Sequence, residues 1–506
     1  MKRRVYLETF GCQMNVLDSE LVLGQLRAQG YESVERREDA DVILYNTCSV
    51  REHAEQKVWS RLGELRQRKA VEPELVIGVI GCMAERDGTN LFAKFPEVDV
   101  LCGPAELDKL PRLLHNACVD RAQKSAGAPK RQVALMGRSA RRSSTLAAAG
   151  DDLEMLDLSR VISPSDRATQ AYVRITRGCN KFCTYCVVPH TRGPEVHRPP
   201  QNVIDEVRRL ADAGAVEVTL LGQTINHYAY EHGDGRTTTF ADLLTLIHDA
   251  VPHLPRLRFV TSYPRDFTDD ALRAMRDCSR ICRYLHVPAQ SGSDRILRLM
   301  NRGYSSGQYR EFIARARDFM PDVSIASDFI VGFPTETDAD FDQTLQLLRD
   351  CRFKNSFIFK YSPRPGTVAI DRHPDDVPDH VKRDRNNRLL AEQGRVCAEL
   401  NGSMVGKIVE ILVEGESKLV SRRVESGNVE LGAGFGAFRV AASNGSTQLV
   451  GRTRGDQVVV LDGATNLVGK LLDVRITRAS QLTLFGEPLR PLETERPASA
   501  QLLHNR

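Results

Sequence analysis

Residues 171–190 read AYVRITRGCNKFCTYCVVPH, and the rest of the chain is best read outward from them. Tyr172, Val173 and Ile175 make a short apolar strand signal that breaks at Gly178. Cys179, Cys183 and Cys186 follow at Cys-x3-Cys-x2-Cys spacing, so three thiols share one loop directly after a strand. Three thiolates so placed can hold three corners of a cubane iron–sulfur cluster, leaving the fourth iron without a protein ligand. Zinc is the rival: a structural zinc needs four protein ligands, and His190, four residues after Cys186, is the nearest fourth candidate. Counting leaves both open, beside the plainer reading of three thiols packed on a buried loop.

Downstream, strand and helix patterns alternate. Gln201 to Ala213, Phe240 to Ala250, Asp269 to Cys278, Arg295 to Met300, Gln308 to Met320 and Asp340 to Arg352 have helical character. Between and after them Val216 to Leu221, Leu257 to Val260, Tyr284 to Val287, Val323 to Ile330 and Ser356 to Tyr361 have strand character. Upstream the same alternation runs through strands at Val5 to Thr9, Asp41 to Tyr45, Leu75 to Gly81 and Val98 to Leu101, with helices at Val16 to Gly30, Glu52 to Lys69 and Ala105 to His115. That order predicts a parallel sheet whose ligands bind beyond the C-terminal strand ends. Cys12, Cys48 and Cys82 each follow one of these strands, in FGCQMN, NTCSVRE and GCMA, so a second group of three thiols is expected on one sheet edge. Cys102, Cys118, Cys278, Cys282, Cys351 and Cys397 lack ligand spacing and read as packing.

At 506 residues the chain needs more than one core, and 41% hydrophobic with 27% charged residues is a globular composition. No run approaches the ~18 uninterrupted apolar residues of a membrane helix. The opening MKRRVYLETFGC lacks the apolar stretch of a signal peptide, and twelve cysteines without an export signal point to the cytoplasm. The net charge of +4 permits nucleic-acid binding without demanding it.

Five segments are expected: a cysteine-bearing α/β domain over 1–119, a basic flexible linker over 120–165, a core over 166–400, a small all-β barrel over 401–480 and a disordered tail over 481–506. The linker has seven Lys or Arg and no acid between Arg121 and Arg142, reading as a solvated arm or an RNA contact. The barrel is expected from short strands at Ile408 to Val413, Val429 to Leu431, Gln457 to Leu461 and Gly469 to Thr477. Lys407, Lys418, Arg422, Arg423, Arg439, Arg452, Arg454, Lys470, Arg475 and Arg478 make it basic, as barrels that hold nucleic acid are.

The three-cysteine loop, with Phe182 and Tyr185 among its thiols, resembles the radical S-adenosylmethionine superfamily. That resemblance implies an open, partial (βα)6 barrel in which the open iron chelates S-adenosylmethionine. With GCQMN, NTCSVRE and GCMA ahead of that loop, the chain resembles the methylthiotransferase family, and residues 401–480 resemble the TRAM domain, an RNA-binding barrel. The family resemblance implies two [4Fe-4S] clusters, one on Cys179, Cys183 and Cys186 and an auxiliary one on Cys12, Cys48 and Cys82. It implies S-adenosylmethionine as radical source and methyl donor, with the strand-end residues Gly222, Gln223, Asn226, Ser291, Ser327, Asp328 and Gly332 as its contacts. His286 is a candidate for the cavity wall or a core histidine, and Arg364 is a loop cation suited to phosphate or carboxylate.

GCQMN and NTCSVRE resemble members that methylthiolate carbon 2 of N(6)-isopentenyladenosine beside the tRNA anticodon. Members acting on threonylcarbamoyladenosine, or on a ribosomal-protein aspartate through GCPKN, differ at these motifs. The expected partners are a tRNA carrying isopentenyladenosine, a flavodoxin-type electron donor and a sulfur or cluster supply system, with no membrane. A non-catalytic RNA-binding iron–sulfur protein and a zinc-dependent RNA enzyme are the readings from other classes.

Overall fold

Two apolar runs set the N-terminal sheet. Val42–Thr47 (β3, VILYNT) and Val76–Gly81 (β4, VIGVIG) are buried at every residue, as strands covered on both faces must be. The computed structural model describes residues 3–49, 52–122, 130–137, 154–160, 169–417 and 447–491. Around β3 and β4 lie Arg4–Phe10 (β1), Glu32–Ser33 (β2), Val100–Cys102 (β5) and Gln132–Ala134 (β6), in the parallel order β2-β1-β3-β4-β5-β6. Helix α1 (Gln13–Ala28) supplies Leu17, Leu21 and Leu26 to one face, while α2 (Glu52–Val71) supplies Val58, Leu62 and Leu65 to the other. The short α3 (Cys82–Asp87) and α4 (Asn90–Lys94) and the longer α5 (Leu110–Ala122) complete the layer.

Residues 120–165 depart from the expected flexible linker wherever they are described. α5 runs past the expected boundary at 119, and β6 pairs with β5, adding a sixth strand. Residues 154–158 (α6) form a helical turn that carries Asp157 into the interior. A three-residue strand held by backbone bonds leaves little trace in a basic composition. The remainder of that stretch lies outside the described residues.

The core builds on Gln170–Arg174 (β7), followed by a small antiparallel pair, Thr176–Arg177 (β8) with Val196–His197 (β9). β7 pairs in parallel with Glu217–Leu221 (β10), and β10 with Arg256–Val260 (β13); Ala229–Glu231 and Thr237–Thr239 (β11 and β12) form a hairpin between them in sequence. Tyr284–His286 (β14), Ser324–Val331 (β15) and Asn355–Lys360 (β16) make a second arc, joined to the first by a parallel bridge between Leu257 and Ile281. The result is the open six-strand partial barrel that the resemblance implied. The expected core end at 400 falls within the helix Asp379–Gly402.

The N-terminal sheet and the core up to Leu389 form one compact unit. Buried charge joins them. Arg174 of β7 donates to Asp18 of α1 at 2.8 Å and to Asp157 of α6 at 2.6 Å. Arg192 donates to the other Asp18 oxygen at 2.8 Å, and Arg198 bonds Glu206 at 2.7 Å and Glu154 at 2.8 Å. Burial by itself would raise the Asp157 carboxyl, but Arg174, Arg177 and Arg198 hold it well below the ordinary range. Farther along, Arg364 reaches Glu55 of α2 at 2.9 Å, so this loop cation meets a carboxylate. Each packing cysteine named above is buried.

The second unit contains a closed five-strand barrel, Ile408–Glu416 (β17), Thr447–Thr453 (β18), Val458–Gly463 (β19), Leu471–Ala479 (β20) and Leu484–Pro491 (β21), in the order β17-β18-β19-β21-β20. Ile411, Val413, Leu449, Val459, Leu472, Val474 and Leu484 fill it. This corrects the barrel boundary at 480 and the tail from 481. LFGEPLRP reads as a tail because of its prolines and charges, but Leu484 and Phe485 pair with Val459 and Val460 and close the barrel. The expected strand at Val429 to Leu431 lies outside the described residues, as do Lys418, Arg422, Arg423, Arg439 and everything beyond 491. Among the described residues no helix is long and apolar enough to cross a membrane.

Exchanging Arg174 for Met leaves Asp18 and Asp157 buried with one partner fewer each, and breaking such a pair costs about 3–5 kcal/mol. Urea denaturation of Arg174→Met should show a loss of that order. A loss under about 0.5 kcal/mol, the range of neutral surface changes, would contradict the brace.

Candidate functional site

Both groups of thiols stand at C-terminal strand ends, held by different local devices. In the core, Gly178 takes φ +68, and a Cβ there would run into the carbonyl of Pro194. Only glycine fits this turn. Beyond it Cys179 N–H donates to Gly193 O at 3.2 Å and Cys186 N–H to Cys183 O at 3.0 Å, curling the loop so that its three thiols come near enough for Cys183 to oppose ionisation of Cys179 and Cys186. Thr184 pins the loop from below, its hydroxyl to Leu299 O at 2.8 Å and its N–H to Met300 O at 3.0 Å. Tyr185 packs into the cluster of Ile296, Met300, Phe333 and Tyr361, whereas Phe182, at φ 48, is exposed.

The other trio comes from three strands that are neighbours in the sheet: Cys12 follows β1, Cys48 follows β3 and Cys82 follows β4. The motif residues around them interlock. Asn15 accepts from the Cys12 thiol at 3.3 Å and donates to Asn46 at 3.0 Å, while Asn46 donates to Asn15 O and to Ser19, both at 2.9 Å. A Cβ on Gly11 would collide with the Asn15 side chain, and one on Gly81 with Asn46. The glycines and asparagines of GCQMN, NTCS and GCMA are thus one packed unit beneath the thiols.

The donor sets are thiols alone, the usual ligands of iron–sulfur clusters. Among the described residues no three His, Cys, Asp or Glu side chains close around a single metal ion, and this holds for each thiol trio as for a set completed by His190. Burial pushes the Cys186 thiol up to about 12, with Cys183 and Cys179 adding to it. The Cys12 thiol is instead pulled down to about 5, by a hydrogen bond with Cys48 and, against burial, by the charge of Arg192. Neighbouring thiolates repel, so each trio needs a cationic centre to be ionised together.

The positions expected to contact S-adenosylmethionine divide by which way their strands turn them. Gly222 and Gln223 lie in the turn after β10 with Thr224, whose hydroxyl is 3.4 Å from the Cys179 sulfur; this turn meets the core trio. Asn226 is engaged elsewhere, bonding Tyr263 N–H at 2.7 Å and Tyr263 O at 3.0 Å and so tying two strand-end loops together. Successive residues of a strand face opposite sides, so Ser327 and Asp328 cannot share the cavity. Asp328 accepts from the His286 ring at 2.9 Å and is part-exposed, whereas Ser327 is fully buried between Val287 O and Tyr309 of the helix Ser306–Phe319. Ser291 likewise turns to the helix layer, against Thr344 at 3.3 Å. Gly332, at φ +69, donates to Glu336 at 2.9 Å, and a Cβ there would strike Lys382. Asn226, Ser291 and Ser327 are therefore framework residues in this geometry.

Three family models match the chain: "Uncharacterized protein family UPF0004" over residues 4–103, the Radical SAM superfamily over 173–348 and the TRAM domain over 440–489. A tRNA-2-methylthio-N(6)-dimethylallyladenosine synthase from Rhodopirellula baltica is 44% identical, the match covering 96% of this chain and 95% of that protein. Synthases of the same name from Clostridium botulinum (strain Alaska E43) and Neisseria meningitidis serogroup C are 39% and 38% identical, over 95% and 96% of this chain and 95% and 99% of theirs. The chain belongs to the tRNA-2-methylthio-N(6)-dimethylallyladenosine synthase family. Among solved structures, the radical S-adenosylmethionine methyltransferase TsrM from Kitasatospora setae superposes with TM-score 0.49 at 14% identity, over 73% of this chain and 77% of that one.

This family member is a radical S-adenosylmethionine enzyme, with S-adenosylmethionine and [4Fe-4S] clusters as its cofactors. Sequence reasoning missed Arg302, whose guanidinium donates to the Cys183 sulfur at 3.3 Å and is fixed by Tyr304 at 2.9 Å and Pro288 O at 3.1 Å. It stands directly after Asn301, a residue at φ 55 that follows the short helix Asp294–Leu299, and nothing in NRGY sets it apart from a surface cation. Asn15 and Asn46 were visible only as motif letters.

Gly178→Ala should abolish metal binding at the core trio alone, lowering iron after anaerobic reconstitution from about eight to about four per chain. Gly30→Ala, also at positive φ but with open space around the added carbon, should leave iron unchanged. Equal iron in the two variants would contradict the role given to the turn.

Proposed function

We propose that this chain transfers a methylthio group to carbon 2 of N(6)-isopentenyladenosine next to the anticodon of tRNA, by radical S-adenosylmethionine chemistry. The observation that carries this reading is the pair of thiol trios, each at the C-terminal end of its own parallel sheet, within one braced unit. Cys179, Cys183 and Cys186 would hold one [4Fe-4S] cluster, and Cys12, Cys48 and Cys82 the other. When bound, the clusters supply the electron for reductive cleavage of S-adenosylmethionine and a mooring for the sulfur that is methylated and inserted.

The protein's part is positioning and shielding. Arg302 holds the Cys183 sulfur, and Thr224 meets that of Cys179. Asp328 and His286 form a part-exposed polar pair, while Gly222, Gln223 and Gly332 lie just beyond strand ends, where barrel sites lie. The links Arg174–Asp18 and Arg364–Glu55 fix one trio relative to the other, so that sulfur and radical source meet the same base.

In the barrel, Lys407, Lys470, Arg475 and Arg478 are exposed and suited to RNA phosphates, whereas Arg452 is paired with Glu414 and Asp456. tRNA is the macromolecular substrate. A flavodoxin-type protein as electron donor and a separate sulfur or cluster supply complete the proposed partners, with the cytoplasm as the compartment. Threonylcarbamoyladenosine as the substrate base, and a non-catalytic RNA-binding role, are the competing readings.

The test is anaerobic incubation of the reconstituted full chain with dithionite, S-adenosylmethionine and anticodon stem-loop RNA bearing isopentenyladenosine, threonylcarbamoyladenosine or plain adenosine. Mass spectrometry of the nucleosides should find the methylthio product from the isopentenyl RNA alone, with 5′-deoxyadenosine formed alongside. Product only from the threonylcarbamoyl RNA would reassign the substrate. No 5′-deoxyadenosine from a chain with full iron would favour the binding-protein reading.

A further inference from the structure

Arg192 belongs to the core by sequence and to the other trio by position. It caps the short helix α7 (Val188–Thr191), which begins two residues after Cys186, and α7 packs against α3, the helix that opens with Cys82. Its side chain is 6% exposed and its guanidinium faces the thiols of Cys82 and Cys12, with one end held at 2.8 Å by Asp18, which is 0% exposed. Asp18 also accepts from Arg174, which has Asp157 as a second carboxylate. The N-terminal domain therefore supplies thiols and a carboxylate to this spot, and the core supplies the cations.

A buried group of like charges is sustained only by compensating charge nearby, because burial strips away the solvent that would screen it. Among the described residues, the charge of Arg192 acts on the thiols of both Cys82 and Cys12, whereas that of Arg174 is spread over Asp18 and Asp157. Resting on the reading that Cys12, Cys48 and Cys82 hold an iron–sulfur cluster, we infer that Arg192 is the counter-cation of that cluster, carried on the loop that follows the other trio. The N-terminal site is then electrostatically complete only when sheet and core are docked. Arg192 is a positioning residue in this account: it sets the charge around the sulfur-bearing centre and acts on substrate only through it.

The experiment uses the full chain with Cys179, Cys183 and Cys186 changed to Ala, so that only the N-terminal cluster is observed. Iron, acid-labile sulfide and the midpoint potential from an EPR-monitored titration are read for Arg192→Gln, Arg192→Lys and Asp18→Asn. Removing a cation beside the cluster stabilises its oxidised form, so Arg192→Gln should shift the potential to more negative values. Arg192→Lys should restore most of that shift, and Asp18→Asn, which removes an anion from the same place, should shift it the opposite way. Loss of iron from the Gln variant with full iron in the Lys variant would support the same role. Shifts of one sign in Arg192→Gln and Asp18→Asn, no shift in either, or loss of iron from both Arg192 variants would overturn it. Absence of iron from the triple-alanine chain itself would instead defeat the cluster assignment on which the inference rests.

Discussion

One carboxylate holds the two halves of the catalytic unit in register. Asp18 sits within α1, fully buried, and each of its oxygens accepts from a different arginine of the core, Arg174 on β7 and Arg192 beyond the cysteine loop. A buried aspartate without partners would be protonated or would drag water inward. With a guanidinium on each oxygen its charge is fully partnered, and it specifies which face of the N-terminal sheet meets the barrel. Because Cys12 opens the same helix and Cys186 lies just ahead of α7, this pairing also determines how the two thiol trios approach each other. Such an arrangement contributes less to raw stability than to a unique geometry, which is what chemistry divided between two centres requires.

The two trios solve the same problem by different means. In the core a single loop is curled by Gly178 and pinned by Thr184, so its spacing is local and legible in sequence. In the N-terminal domain the thiols are about 34–36 residues apart along the chain, and they converge because β1, β3 and β4 are adjacent parallel strands. There the Asn15–Asn46 pair and the close-packed Gly11 and Gly81 serve in place of a tight loop.

Much of this was readable from the chain. Buried parallel strands appear as apolar runs, and glycine-flanked cysteines at their ends announce themselves, so the sheet, the partial barrel and both trios follow from pattern and resemblance. What the pattern conceals is direction. Ser327 and Asp328 are adjacent letters that face opposite layers, and Asn226 looks like a ligand residue but braces Tyr263. Arg192 and Arg302 are ordinary basic residues until the fold aims them at sulfur. β6 and β21 were concealed by basic and proline-containing segments whose pairing rests on backbone bonds.

The central claim is that this chain carries two independent three-thiolate cluster sites. The most direct measurement is iron and acid-labile sulfide per chain after anaerobic reconstitution, for the wild type and for the Cys179→Ala, Cys183→Ala, Cys186→Ala variant. Two cubane sites predict about eight irons in the wild type and about four in the variant. About four in the wild type and none in the variant would contradict the account, leaving Cys12, Cys48 and Cys82 without a cluster and the sulfur-insertion chemistry without its second centre.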